Sequence, residues 1–466
     1  MMRRIYSGLK WLAALLVAVL LAGALWLYFA PPALIRLGSG FAAKTVCSNL
    51  FIAGRDPQVV LRDDVQAPGH PLLKLMRVRV DAADATVHAG LFGVFGEGLA
   101  VFRGATGCTS VPDGNVSAAE GRRFYLPPQE PLGVALWPEG LRIDVSQFPL
   151  VSEILDDERL TGPGMRAVVV VQDGRIIGER FGEGVVNYTQ PLTGWSMTKT
   201  VTAALIGARV HAGRMSVEDD RLFPEWENDE RANITVADLL GMESGLAFNE
   251  DYGDVTDVTR MLYLESDMAG FVAGMPLVDP IGAAFSYSSG TSVLLSRIWQ
   301  ASFSAPRDAL AWPYEALFRP LGMDTAVLET DSRGTYVGSS NLFASARDWA
   351  RFGQFLLQDG VWKGERILPE GWVAWMSTPT VASGGEYGRH VWLHGPRATT
   401  PAGTHPDAGF DLPQDAYWLL GHDGQTVTII PSRRMVVVRM GLTPSKLGYK
   451  PQALVEALLK LPGRQE

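Results

Sequence analysis

The first hydrophobic pattern in this chain is an unbroken run, residues 11–30, WLAALLVAVLLAGALWLYFA, with no charge in it. As a helix it is long enough to cross a bilayer core of about 30 Å. Arg3, Arg4 and Lys10 precede it, which sets residues 1–10 as a cytoplasmic tail and everything after Pro31 on the far side of the membrane. A signal anchor and a signal peptide cut after the small pair Ala22 and Ala24 both fit such a segment. The anchor reading is favoured because the apolar run continues past Ala24 and exceeds the usual signal-peptide core of about 7 to 15 residues.

The pattern then weakens. Residues 31–145 mix short apolar runs with Gly, Pro and Asp and predict an appended region without a strong helix. A sharper rhythm begins after Arg166, where AVVVV and RIIGERF flank Asp173-Gly174, a strong hairpin signal. From Lys199 to about Arg214, TVTAALIGARVHAGR has helical spacing, and ARDWARFGQFLLQDG repeats it before residue 375. Strand character returns in AYWLLGH, QTVTIIP and RMVVVRMG, and KPQALVEALLKL closes the chain as an amphipathic helix. Strands at both ends with helices between them predict an α+β fold: an antiparallel sheet built from distant segments and flanked by helices, plus a mostly helical lobe. The catalytic domain is expected over 150–466.

Composition narrows the picture. With 466 residues, 47% hydrophobic and 20% charged, the chain can bury a large core. A net charge of -9 lacks the basic footprint of a nucleic-acid binder. Cys47 and Cys108 both fall beyond the membrane segment, where an oxidising compartment permits a disulfide. Two separate buried thiols are the other reading.

Ser196-Met197-Thr198-Lys199 places a hydroxyl and an amine one helical turn apart. A lysine desolvated there can take the serine proton, because burial disfavours the ammonium form. The spacing alone is weak, since Ser7-Gly8-Leu9-Lys10 repeats it at the membrane segment. Two further elements give it a setting. Tyr287, in FSYSSG, supplies a phenol that a nearby ammonium would push toward phenolate, and Gly421-His422-Asp423-Gly424-Gln425 supplies a turn whose backbone approaches a ligand closely. The N–H of Ser196 and a backbone N–H from this facing turn are the expected oxyanion donors. His390 and His394 in HVWLH stand four apart without a Glu between them, and Val391 and Trp392 suit a strand, so no metal site is expected there, and no cofactor elsewhere.

These three elements, in this order, resemble the serine β-lactamase and penicillin-binding-protein superfamily, in its class C-like branch of esterases and 6-aminohexanoate-dimer hydrolases. LLGMESGL, PLGM, SARDWARFG and GHDGQ are similar to that branch as well, and the resemblance covers about 150–460. It implies an acylated nucleophile at Ser196, an acid/base pair of Lys199 and Tyr287, an oxyanion hole from the N–H groups of Ser196 and Gln425, and substrate contacts from His422, Gly424, Tyr252 and Ser289. Ser289 stands where β-lactamases usually have Asn, and His422 where they usually have Lys. Both departures point toward a small-molecule ester or linear amide rather than a β-lactam. A peptidoglycan-directed D-Ala-D-Ala carboxypeptidase or β-lactamase and a non-catalytic penicillin-binding-like module remain open alternatives, and specificity is expected in the loops 245–285 and 380–415.

Overall fold

In the computed structural model, which describes residues 2–67, 69–127, 132–146 and 148–461, the uncharged run is one continuous helix, α1 (Met2–Phe29). Its apolar stretch Gly8–Phe29 is long enough to cross a membrane, and no part of its most apolar window is buried against the rest of the protein. The side chains of Arg3, Arg4 and Ser7 lie outside the described residues.

After Pro31 and Pro32 comes α2 (Ala33–Phe51), a 19-residue helix in the region where the sequence predicted no strong helix. The correction has a physical cause. Helix α2 is covered on two sides, so it lacks the one-sided apolar stripe that marks a surface helix. One side packs on a four-stranded antiparallel sheet, β1 (Met76–Asp81), β2 (Thr86–Leu91), β3 (Phe95–Phe102) and β4 (Cys108–Ser110), in that order. The approach is close enough that a Cβ on Gly98 would lie 2.3 Å from the Ser39 carbonyl carbon. The other side meets the rest of the chain: Phe41 packs edge-on to Tyr263 with ring centroids 5.4 Å apart. Cys47 on α2 and Cys108 on β4 are joined as a disulfide.

Charges hold this unit against the remainder of the chain. Glu329, fully buried, accepts from Lys44 Nζ at 2.5 Å, from Ser48 Oγ at 2.8 Å and from the Cys108 N–H at 2.7 Å. Asp64 takes the forked guanidinium groups of both Arg55 and Arg166. Those two arginines hold its carboxyl below the usual range although burial acts the other way. A buried carboxylate without such partners would be strongly destabilising.

The second sheet follows the predicted plan. Strands β5 (Met165–Gln172), β6 (Arg175–Phe181), β7 (Tyr417–Gly421), β8 (Gln425–Ile430) and β9 (Met435–Gly441) are antiparallel in the order β7-β8-β9-β5-β6. The β5–β6 hairpin turns at Asp173 (φ 53°) and Gly174 (φ 74°), the left-handed pair that the Asp-Gly dipeptide accommodates. Both faces of β5 are buried, which explains its unbroken valine run. Ala167, Val169 and Val171 join the main core with α6 (Ala346–Leu357). Val168 and Val170 pack with α3 (Pro149–Asp156) and α7 (Gln452–Leu459). The helical lobe, containing α4 (Thr198–His211) and α5 (Ser289–Ala301), is inserted between β6 and β7.

Candidate active site

Ser196 sits on a short 3-10 turn, Trp195–Met197, that leads directly into α4. Just before it, Leu192–Thr193 pairs with Leu342–Ala344, and the Gly194 N–H donates to the Leu342 carbonyl at 2.9 Å. Glycine is required at 194 because a Cβ there would fall 2.2 Å from the Trp349 ring. Trp195 then adopts φ 47°, a left-handed conformation costly for a bulky residue. The Thr198 hydroxyl bonds back to the Trp195 carbonyl at 2.6 Å and fixes the turn. The strained residue thus lies immediately before the half-buried Ser196.

Lys199, one turn further on, is 1% exposed. Its Nζ lies 3.0 Å from Ser196 Oγ, 3.0 Å from Ser289 Oγ and 3.2 Å from the Ser339 carbonyl oxygen. Burial lowers its pKa to about 8, against a smaller opposing pull from Glu250. About a tenth of the side chains are therefore neutral at pH 7, enough to supply a base of matched strength.

Tyr287 reaches the same point, its hydroxyl directed to Ser196. Here the expected electrostatics are corrected. The phenol is raised above its ordinary range, first by burial and then by Glu250. Lys199 Nζ sits over the Tyr287 ring, 4.7 Å from its centroid, and the rings of Tyr387 and Trp392 pack against that ring as well. Tyr287 is thereby kept as a proton-bearing phenol, and Lys199 is the group poised to lose a proton.

Glu250 is the residue that sequence reasoning missed. It accepts from the Ser289 hydroxyl at 2.5 Å and from the Ser289 N–H at 2.7 Å, at the first turn of α5. Ser289, expected as a substrate contact, is fully buried with its hydroxyl engaged between Lys199 and Glu250. The departure from Asn is thus filled by a relay joining the lysine to a carboxylate. A single Glu in a loop, ahead of the Tyr252 that drew attention, carries no spacing signal toward Ser289.

The turn between β7 and β8 closes the site. Gly421 pairs with Gln425, and a Cβ on Gly421 would lie 2.3 Å from the Gly194 carbonyl oxygen, so the strand end abuts the serine turn. The Gln425 side chain is tied to Gly441 on β9, which anchors the start of β8. Asp423 and Gly424 take left-handed conformations. His422 is exposed at the mouth, its ring 5.6 Å from Trp195 and 5.0 Å from Tyr252. Tyr252 is 41% exposed.

His390 and His394 part company. His390, with φ 58°, is buried between the Ser292 hydroxyl and the Leu240 carbonyl, both at 2.9 Å, and burial lowers its pKa to about 3. His394 meets His405 instead, with their Nε2 atoms 3.2 Å apart, and Asp407 lies 3.4 Å from its Nδ1. The expected strand is reduced to isolated bridges of Trp392 with Tyr387 and Trp418.

This geometry has relatives. A curated 6-aminohexanoate-dimer hydrolase of Paenarthrobacter ureafaciens is 24% identical over 272 residues, 55% of this chain, and the match spans 65% of that relative's length. A Bacillus anthracis structure provisionally assigned as a 6-aminohexanoate-dimer hydrolase superposes with a TM-score of 0.54 at 24% identity, covering 66% of this chain and 80% of the other. A penicillin-binding protein homolog from Caulobacter crescentus gives a TM-score of 0.52 at 16% identity, covering 68% and 98%. These structures share the fold. The Beta-lactamase family profile matches residues 157–451, well over half of the sequence, and the chain therefore belongs to that family of hydrolases.

Proposed function

We propose that this protein is a membrane-anchored, extracytoplasmic serine hydrolase that cleaves an ester or linear amide through an acyl-enzyme on Ser196. The observation that carries the reading is a lysine buried to 1% exposure with its amine 3.0 Å from the serine oxygen. Neutral Lys199 accepts the Ser196 proton as Oγ attacks the carbonyl carbon. The N–H groups of Ser196 and Gln425 bind the developing oxyanion. Tyr287, as a phenol, donates its proton to the departing oxygen or nitrogen and recovers one from the Lys199 ammonium. Water then attacks the acyl-enzyme by the reverse relay and frees the acid.

The chemistry of the curated relative's named substrate, a linear amide, agrees with this reading, as do His422 and Ser289 in place of Lys and Asn. The extracytoplasmic assignment is supported by Arg3, Arg4 and Lys10 ahead of the apolar helix and by the Cys47–Cys108 disulfide beyond it. A panel of nitrophenyl esters, short linear amides, a D-Ala-D-Ala peptide and a chromogenic cephalosporin tests it. Turnover of esters or linear amides that Ser196→Ala abolishes supports the reading. Turnover confined to the cephalosporin or the peptide, or surviving in Ser196→Ala, refutes it.

A further inference from the structure

The region ahead of the family-matching residues does more than tether the enzyme. Between it and the catalytic rim lies a cavity of about 280 Å³, near the lower end of small-molecule sites at about 300 Å³. Its far wall is the half-buried face of α2, Leu34, Leu37 and Phe41, with Leu72 and Leu73 from the segment that follows. All of these precede residue 157, where the family match begins. Its near wall is the site itself: Trp195, adjacent to the nucleophile, with Tyr252 and His422.

We infer that this cavity receives the apolar chain of the substrate, so that the enzyme acts on fatty-acyl esters or amides; the inference rests on the hydrolase reading above. Three observations carry it. The surface the lining exposes is mainly apolar, supplied by its leucines with Phe41, Trp195 and Tyr263; of its charged side chains, Asp64 and Arg166 satisfy each other, and Asp423 lies at the mouth beside His422. Trp195, the residue before the nucleophile, and Gln425, at the start of the facing strand, both line the cavity, so a chain attached to a carbonyl held at Ser196 is placed to pass along Trp195 into it. Finally, Leu34 and Leu37 follow Phe29, the end of the apolar helix, by only five and eight residues, so the cavity's far wall is tied closely in sequence to the segment proposed to lie in the bilayer.

The test uses the full chain in lipid nanodiscs with nitrophenyl acetate, butyrate, hexanoate and octanoate. Burial of each added CH₂ predicts a rise in kcat/KM approaching fourfold. Leu37→Trp, which fills the cavity, should cut octanoate turnover at least tenfold and leave acetate within twofold. Leu72→Trp, half-buried on the short 3-10 helix Pro71–Leu75, is the second variant should the first not fold. A flat chain-length series, or equal losses on acetate and octanoate, overturns the inference. A separate reading on Ser196→Ala, titrated with a fluorescent dodecanoyl fatty acid, is independent of turnover: saturable binding weakened tenfold by Leu37→Trp supports the cavity, and absence of saturable binding overturns it. Loss of the hydrolase reading would instead show as no turnover of any ester and no adduct on Ser196.

Discussion

Replacing Lys199 by Met isolates the energetic signature of the buried amine. The substitution keeps most of the side-chain volume and removes the charge. The Ser289 hydroxyl keeps Glu250 as acceptor, while the Ser339 carbonyl loses a donor, a cost that does not vary with pH. What varies is the titration. Burial lowers the folded-state pKa of Lys199 to about 8 from an ordinary value near 10.5. Between those values the unfolded chain binds one more proton than the folded one, so the contribution of this group to stability rises with pH at about 1.4 kcal/mol per unit. It is fully present above the unfolded value and lost as the pH falls through the window. From pH 7 to pH 10 the wild type should therefore gain about 2 to 3 kcal/mol relative to Lys199→Met. Urea unfolding of both proteins at matched pH steps measures the difference. A difference that stays flat across the window, or falls, would show that Lys199 is not a desolvated amine with a depressed pKa and would refute the proposed base.

Three further outcomes follow from the same geometry. The pH profile of kcat/KM should lose activity about tenfold per unit below a pKa near 8, and Glu250→Gln, which removes a charge that raises the lysine, should move that limb to lower pH; an unmoved limb contradicts the Ser289 relay. Lys44→Met should cost about 3 to 5 kcal/mol in denaturant titrations because it leaves the fully buried Glu329 without its cation, and a loss below about 1 kcal/mol would mean that Ser48 and the Cys108 N–H satisfy Glu329 without the lysine. Cys47→Ser with Cys108→Ser should lower stability by about 4 kcal/mol, the loop-entropy value for a sequence separation of 61; an unchanged unfolding midpoint would mean that the packing of α2 with the Glu329 and Asp64 contacts holds the segment without the crosslink.

The central sheet was legible because β5 and β6 flank an Asp-Gly turn and β7 to β9 are short apolar runs between turn residues. The Ser196, Tyr287 and His422 elements were legible from their order. Helix α2 was not, because Gly38, Gly40 and a mixture of Ser, Thr and Ala let two neighbours approach it closely, and a helix covered on both sides shows no periodic stripe. The protonation of Tyr287 was not, since it depends on how deeply its ring is buried and on the nearby Glu250 carboxylate, both set by distant segments. Glu250 was invisible for the same reason: its relation to Ser289 spans 39 residues and exists only once the loop folds over α5. Specificity was expected in 245–285 and 380–415. Tyr252, from the first of those loops, lines the cavity near Trp195, whereas the cavity's far wall comes from residues 34–73, which the family pattern does not reach.

The most direct test of the acyl-enzyme mechanism is intact-protein and peptide mass spectrometry after exposure to a fluorophosphonate, compared across wild type, Ser196→Ala and Lys199→Met. The mechanism predicts a single adduct on Ser196 in the wild type, none in Ser196→Ala, and strongly slowed labelling in Lys199→Met. An adduct on another residue, or a turning-over wild type that stays unlabelled, would contradict it.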